Sequence, residues 1–257
     1  MPTARLNGIE IYYEDHGNGE PVLLTHGYGS TSAMWAPQVD AVTQGHRLIT
    51  WDMRGHGGTD SPEDQSTYSE AQTVEDMAAL LRHLGVERAV IGGLSLGGYM
   101  SLAFNLAHPE MVTALILCDT GPGYRNPKGR EAWNETAFKR AERFEERGLE
   151  ALGSSPEVQT VRSRHRSAAG LAKAARGMLA QFDSRVIESL EGISTPTLII
   201  VGANDTPFLA GTDYMAAKVP NAQKVVIPDA GHASNIDQPQ AFNEAVLGFL
   251  SDVGSGK

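Results

Sequence analysis

The sequence holds a single cysteine in 257 residues. Cys118 can form no internal disulfide, so a disulfide-stapled secreted scaffold is excluded and a reducing compartment is expected. No stretch approaches the ~18 consecutive apolar residues of a membrane-spanning helix. Met1-Pro2-Thr3-Ala4-Arg5 leads into no long apolar run, so no signal peptide is expected and the expected location is cytoplasmic. Positive charge is scarce: 21 Lys and Arg stand against 31 Asp and Glu, a formal net charge of −10. Such a chain repels phosphate backbones and anionic lipid, which argues against nucleic acid and membrane surfaces as partners. Internal repeats and low-complexity segments are also missing. What is present in quantity is apolar side chain, 41% of the residues, ample for the large core of an α/β domain.

Short apolar runs alternate with helical patterns. Strands are predicted at 9–13 (paired with 4–6), 22–25, 46–51, 88–92, 112–118, 196–201 and 224–227. Between them, 71–84 carries Val74, Met77, Leu80, Leu81 and Leu84 at the i, i+3, i+4, i+7 spacing of an amphipathic helix, which Gly85 stops. Further helices are predicted at 33–43, 96–107 and 240–253, with a frayed tail at 254–257. This alternation predicts an α/β fold, a mostly parallel sheet with helices on both faces. From Pro122 to Glu191 no strand pattern occurs. Glu131–Arg147 and Ala168–Phe182 read as helical, entered at Gly121-Pro122-Gly123 and left at Gly192–Pro196. The predicted organisation is therefore a core domain of residues 1–121 and 192–257, with a helical cap of 122–191 inserted into it.

The most informative segment is Gly93-Leu94-Ser95-Leu96-Gly97, set between an apolar β-branched run and an apolar helical run. A sharp strand-to-helix turn strains its central residue, and only small neighbours two positions away on each side allow it to close. The turn lifts the Ser95 hydroxyl clear of the sheet and points a helix N-terminus at whatever reacts there. A serine hydroxyl is a weak nucleophile. It needs a base, usually histidine, oriented by a carboxylate. Among eight histidines, His232 follows the last predicted strand, at the edge where Ser95 emerges, and His56 is its rival there. Asp205 follows the strand before it, and Asp119 is the competing carboxylate. The chain order Ser95, Asp205, His232 is the order of triads built on such a turn. The oxyanion donors are expected to be the backbone N–H groups of Leu96 and of Tyr28, the latter after the strand 22–25.

With these residues in view, the chain resembles the α/β-hydrolase superfamily over essentially its full length. The residues that carry the likeness are His26-Gly27-Tyr28-Gly29, Asp52-Met53-Arg54-Gly55-His56-Gly57, Gly93 to Gly97, Asp205 and Gly231-His232. The short cap and Leu117-Cys118-Asp119-Thr120 look most like 3-oxoadipate enol-lactonases and related small esterases and lactonases. The resemblance implies a serine hydrolase with no cofactor and no metal, acting on a small ester or lactone through an acyl-enzyme. Carbon–carbon bond hydrolases and perhydrolases use the same triad and stand as the alternative, with a non-catalytic ligand-binding protein behind them. A homo-oligomer is left open.

Four further readings concern the pocket. Trp133, Met178 and Phe182 are expected to line it from the cap, while Phe138 and Trp35 pack inside. Arg54 is read as pinning its loop through backbone carbonyls rather than holding a substrate carboxylate. Arg162-Ser163-Arg164-His165-Arg166, a local basic cluster, is read as a solvated helix face rather than an attractor of anionic substrate.

Overall fold

The computed structural model describes residues 2–255. Eight strands form one sheet: β1 (Thr3–Leu6), β2 (Ile9–Gly17), β3 (Glu20–Thr25), β4 (His46–Trp51), β5 (Ala89–Leu94), β6 (Val112–Cys118), β7 (Thr197–Gly202) and β8 (Ala222–Ile227), in the order β1-β2-β4-β3-β5-β6-β7-β8. β2 pairs antiparallel with both β1 and β4, and every pairing from β4 to β8 is parallel. The helices are α1 (Ala36–Val42), α2 (Glu70–His83), α3 (Leu96–Ala107), α4 (Pro127–Arg147), α5 (Pro156–Gln159), α6 (Ala168–Ala174), α7 (Arg185–Ser189), α8 (Thr206–Lys218), α9 (Ser234–Asp237) and α10 (Pro239–Gly254). None of the described helices is long and apolar enough to cross a membrane.

The period of two along each strand divides the core into two layers. Leu23, Ile49, Ile91, Leu115 and Ile199 face one side, where they meet Val74, Met77, Leu80 and Leu81 of α2 and Met100 and Phe104 of α3. Val22, Leu48, Val90, Ile116 and Leu198 face the other, against Val42 of α1 and Phe242, Val246 and Phe249 of α10. The central strands are buried on both faces, which is why they read as continuous apolar runs rather than alternating ones. Capping fixes α2: the Ser69 hydroxyl accepts from Gln72 N (3.1 Å), and Gly85 follows the last turn with φ +69°.

Between β6 and β7 the described chain is entirely helical or irregular. Ala141 and Phe144 of α4 pack with Leu171 and Ala172 of α6 and with Leu152 and Val158 in a third, small cluster. The helix expected over 168–182 is shorter than its composition suggests. It runs as α6 to Ala174, continues as a π-helical turn over Ala175–Leu179 and ends there. The helix expected over 33–43 is likewise split into a 3₁₀ turn at Ser32–Trp35 and α1. The frayed tail expected at 254–257 falls partly outside the described residues, α10 running to Gly254.

Arg54 pins its loop, but not through carbonyls. Its Nε and Nη2 donate to Asp76 Oδ2 and Oδ1 of α2, both at 2.9 Å, with side chains 2% and 0% exposed. A bidentate carboxylate is the partner a buried guanidinium requires, and Asn7 and Gln72 donate to the same Asp76. The basic cluster keeps Arg162, Arg164 and Arg166 exposed to solvent, as expected, but it also ties down its surroundings. Arg166 donates to the carbonyls of Gly57 and Gly58, Arg162 to that of Leu152, and His165 is buried.

Candidate active site

Five strand ends at one edge of the sheet supply the site. β5 ends at Ser95, which adopts φ 55° and ψ −115°, a region that costs a non-glycine residue about 1–3 kcal/mol. The surroundings hold it there. Ser95 N donates to Cys118 O (2.9 Å), and its carbonyl accepts from Tyr99 N (3.0 Å) and from the Thr120 hydroxyl (2.6 Å). The flanking glycines are sterically compelled: a Cβ on Gly93 would lie 2.4 Å from Gly97 C, and one on Gly97 would lie 2.1 Å from Thr25 O.

Asp205 follows β7 and His232 follows β8. His232 Nδ1 meets Asp205 Oδ2 at 2.9 Å, the carboxylate almost fully buried and the imidazole partly open. An ionised carboxylate only accepts, so Nδ1 carries the ring proton in this contact. The Phe208 ring, in the first turn of α8, stacks on His232 at 4.6 Å between centroids and 25° between planes. Sequence reasoning missed it. The signal available was Thr206-Pro207 opening a helix directly after Asp205, which sets Phe208 beside the histidine loop.

Asp119, the competing carboxylate, takes its hydrogen bonds from other groups. Its Oδ1 accepts from Gly202 N (2.8 Å), and its Oδ2 accepts from the Ser234 hydroxyl (2.5 Å) and Ser234 N (3.3 Å). Asp119 thus ties the end of β6 to the end of β7 and to the segment that follows His232. Burial pushes its carboxyl up to about 7, against the opposing pull of the Ser234 and Gly202 hydrogen bonds.

Tyr28 and Leu96 both border the site. The Tyr28 hydroxyl donates to Leu171 O (2.8 Å) of α6, which fixes the side chain, and Tyr28 lines the cavity. Tyr28 N donates to no acceptor among the described residues. Leu96 opens α3, so its N–H is one of the first-turn donors without an intrahelical acceptor.

The Tyr28 loop rests on three histidines, and His56 is one of them. Far from acting as a base, His56 is fully buried, its Nε2 accepting from Gly29 N (3.2 Å). His26 Nε2 accepts from Met53 N (3.0 Å) while Nδ1 donates to Gly27 O (2.7 Å). His165 Nδ1 accepts from Gly57 N (3.3 Å) while Nε2 donates to Gly29 O (2.9 Å). Each ring needs one bare nitrogen, so each works only when neutral. Burial lowers His26 to about 4 and drives His56 well down, with the neighbouring His26 and His165 adding to the latter. The unfolded chain takes up protons below its ordinary histidine pKa of about 6.5, while folded His26 stays neutral to about 4. Stability is therefore full above about pH 6.5 and lost as pH falls from there towards 4. From His26 alone, urea unfolding at about pH 5 should show a stability lower by on the order of 2 kcal/mol than at about pH 7. Asp119, whose raised carboxyl acts in the opposite sense over the same window, is common to the wild type and His26→Gln. The His26 share is therefore read as the difference between their stability changes from about pH 7 to about pH 5. No difference between the two would contradict this assignment.

Ser95, Asp205, His232, Tyr28, Trp133 and Phe208 all line one cavity of about 530 Å³. Two of the expected pocket residues do not. Met178 is 1% exposed and packs into the sheet-side core, and Phe182 is 70% exposed. The wider π-helical turn shifts the facing position by one, so Leu179 reaches the cavity in place of Met178, and Phe182 lies beyond the helix altogether. Arg140 and Arg143 of α4, rather than the cluster at 162–166, bring positive charge to the cavity.

The alpha/beta hydrolase family matches residues 22–245. The chain belongs to that family. It is 31% identical to 3-oxoadipate enol-lactonase 1 of Acinetobacter baylyi over 271 residues, 98% of this chain and 93% of that protein. Among solved structures it is similar to a thermophilic esterase from Thermogutta terrifontis (TM-score 0.84, 32% identity, 98% of this chain and 97% of that one). It is also similar to an enol-lactonase from Burkholderia xenovorans (TM-score 0.78, 27% identity, 97% of this chain and 100% of that one).

Proposed function

We propose that the protein is a serine hydrolase that cleaves a carboxylic ester or lactone through an acyl-enzyme on Ser95. The observation that carries this reading is the convergence of Ser95 and the His232–Asp205 pair on a single cavity wall, from loops far apart in the chain. The Ser95 hydroxyl attacks the carbonyl carbon while His232 Nε2 takes its proton. Asp205 holds the tautomer in which Nε2 is basic and stabilises the imidazolium that forms. The N–H groups of Tyr28 and Leu96 bind the developing oxyanion, each worth ~10²–10³ in rate. His232 then protonates the leaving alkoxide, and a water deprotonated by the same nitrogen releases the acid. Asp119 positions the histidine loop through Ser234. The 122–191 segment acts as a cap that closes the cavity over the substrate. The enol-lactonase and esterase names among its relatives favour this substrate class. The test is hydrolysis of p-nitrophenyl butyrate by the wild type and its loss in Ser95→Ala.

A further inference from the structure

A second cavity, of about 280 Å³, opens from the same serine. It shares Ser95, Trp133, Leu179, Pro207 and Phe208 with the first and extends towards Tyr99 and Gln181. Most of its wall is apolar, and the buried polar groups on it are satisfied with one exception. The Thr120 hydroxyl donates to Ser95 O, the Tyr99 hydroxyl to Glu70 Oε2 (2.7 Å) and Trp133 Nε1 to Leu179 O (2.8 Å). Gln181 is 9% exposed, and its Oε1 has no hydrogen-bond partner among the described residues.

Gln181 is not loose. Asn134 of α4 clamps its backbone on both sides, Oδ1 accepting from Gln181 N (2.8 Å) and Nδ2 donating to Gln181 O (2.7 Å). The chain opposite leaves space for the amide: Gly123 sits at φ +89°, where a Cβ would come within 2.8 Å of Gln181 Oε1. An acceptor buried without a partner destabilises the folded protein, and such groups are rare unless a ligand or water completes them.

We propose that Gln181 is a specificity-determining residue: the part of the substrate that enters the second cavity carries a hydroxyl or N–H that donates to Gln181 Oε1. This inference rests on Ser95 being the nucleophile, since that places the scissile carbonyl where the two cavities join. A site built around a hydrogen bond rejects the analogue that lacks it more strongly than it rejects a change of one methylene.

The test compares kcat/KM within two series, one for each side of the scissile bond. The first sets p-nitrophenyl butyrate and hexanoate against their 3-hydroxy and 6-hydroxy forms. The second sets propyl butyrate against 3-hydroxypropyl butyrate. The wild type is expected to favour the hydroxylated member in one series by roughly 10-fold, and Gln181→Leu and Gln181→Met are expected to abolish that ratio. A ratio measured within one preparation is insensitive to any misfolded fraction of a variant. No preference in either series, the outcome if only water fills the cavity, would overturn the inference, as would a preference that survives both variants. Ser95→Ala separates the two levels: activity retained there defeats the nucleophile assignment, whereas activity lost there with a flat ratio defeats the Gln181 inference alone.

Discussion

Ser95→Ala is expected to lower kcat on p-nitrophenyl butyrate by ~10⁴–10⁶ while leaving the fold in place. The size follows from the chemistry. Without the hydroxyl no acyl-enzyme forms, and what remains is attack by water on a carbonyl still polarised by the Tyr28 and Leu96 N–H groups, a residual ~10³–10⁴ over the uncatalysed reaction. The fold survives because alanine makes the same steric demand as serine at φ 55°, and the bonds that hold the turn run through the Ser95 backbone rather than its side chain. A thermal midpoint close to that of the wild type, measured beside the rate, separates lost chemistry from lost structure.

Asp205→Asn is expected to cost up to ~10⁴ in kcat, and Asp119→Asn roughly 10-fold or less. The two carboxylates stand at neighbouring strand ends but do different things. Asp205 Oδ2 accepts a hydrogen bond from His232 Nδ1 at 2.9 Å. An amide there can turn its N–H₂ towards Nδ1 and so favour the tautomer in which Nε2 already holds a proton and cannot act as a base. Asp119 contacts Ser234 and Gly202 instead. Asparagine at 119 keeps one acceptor for Gly202 N but sets a donor against Ser234 N–H, which strains the loop more than it disturbs the proton. The effect of Asp119→Asn should therefore appear mainly as lower stability. A larger rate loss in Asp119→Asn than in Asp205→Asn would exchange the two roles.

Much of this architecture was legible because its causes are local. Gly93 and Gly97 are required by atoms within a few residues of Ser95 or on the adjoining strand, so the turn announces itself in sequence. The edge that carries Ser95, Asp205 and His232 follows from strand polarity alone, since loops after parallel strands share one end of the sheet. What was not legible depends on distant packing. The π-helical turn at Ala175–Leu179 leaves no mark in composition, so Met178 and Phe182 were expected where Leu179 stands. Arg54 finds Asp76 on a helix 22 residues on, a pairing no spacing rule supplies. His56, the rival to His232 at the reactive edge, supports the Tyr28 loop through its Gly29 contact, a role set by packing rather than by its glycine neighbours. The unpartnered Oε1 of Gln181 is a property of the cavity rather than of any motif.

The central claim is that Ser95 is made nucleophilic by His232 and Asp205. Its most direct test is covalent labelling with a fluorophosphonate, read by intact mass and by the mass of the peptide that carries Ser95. The account predicts one phosphonyl group per chain, on Ser95, at a rate that collapses in His232→Ala. Ester turnover that persists with no label on Ser95, or labelling of Ser95 that proceeds as fast without the His232 imidazole, would contradict it.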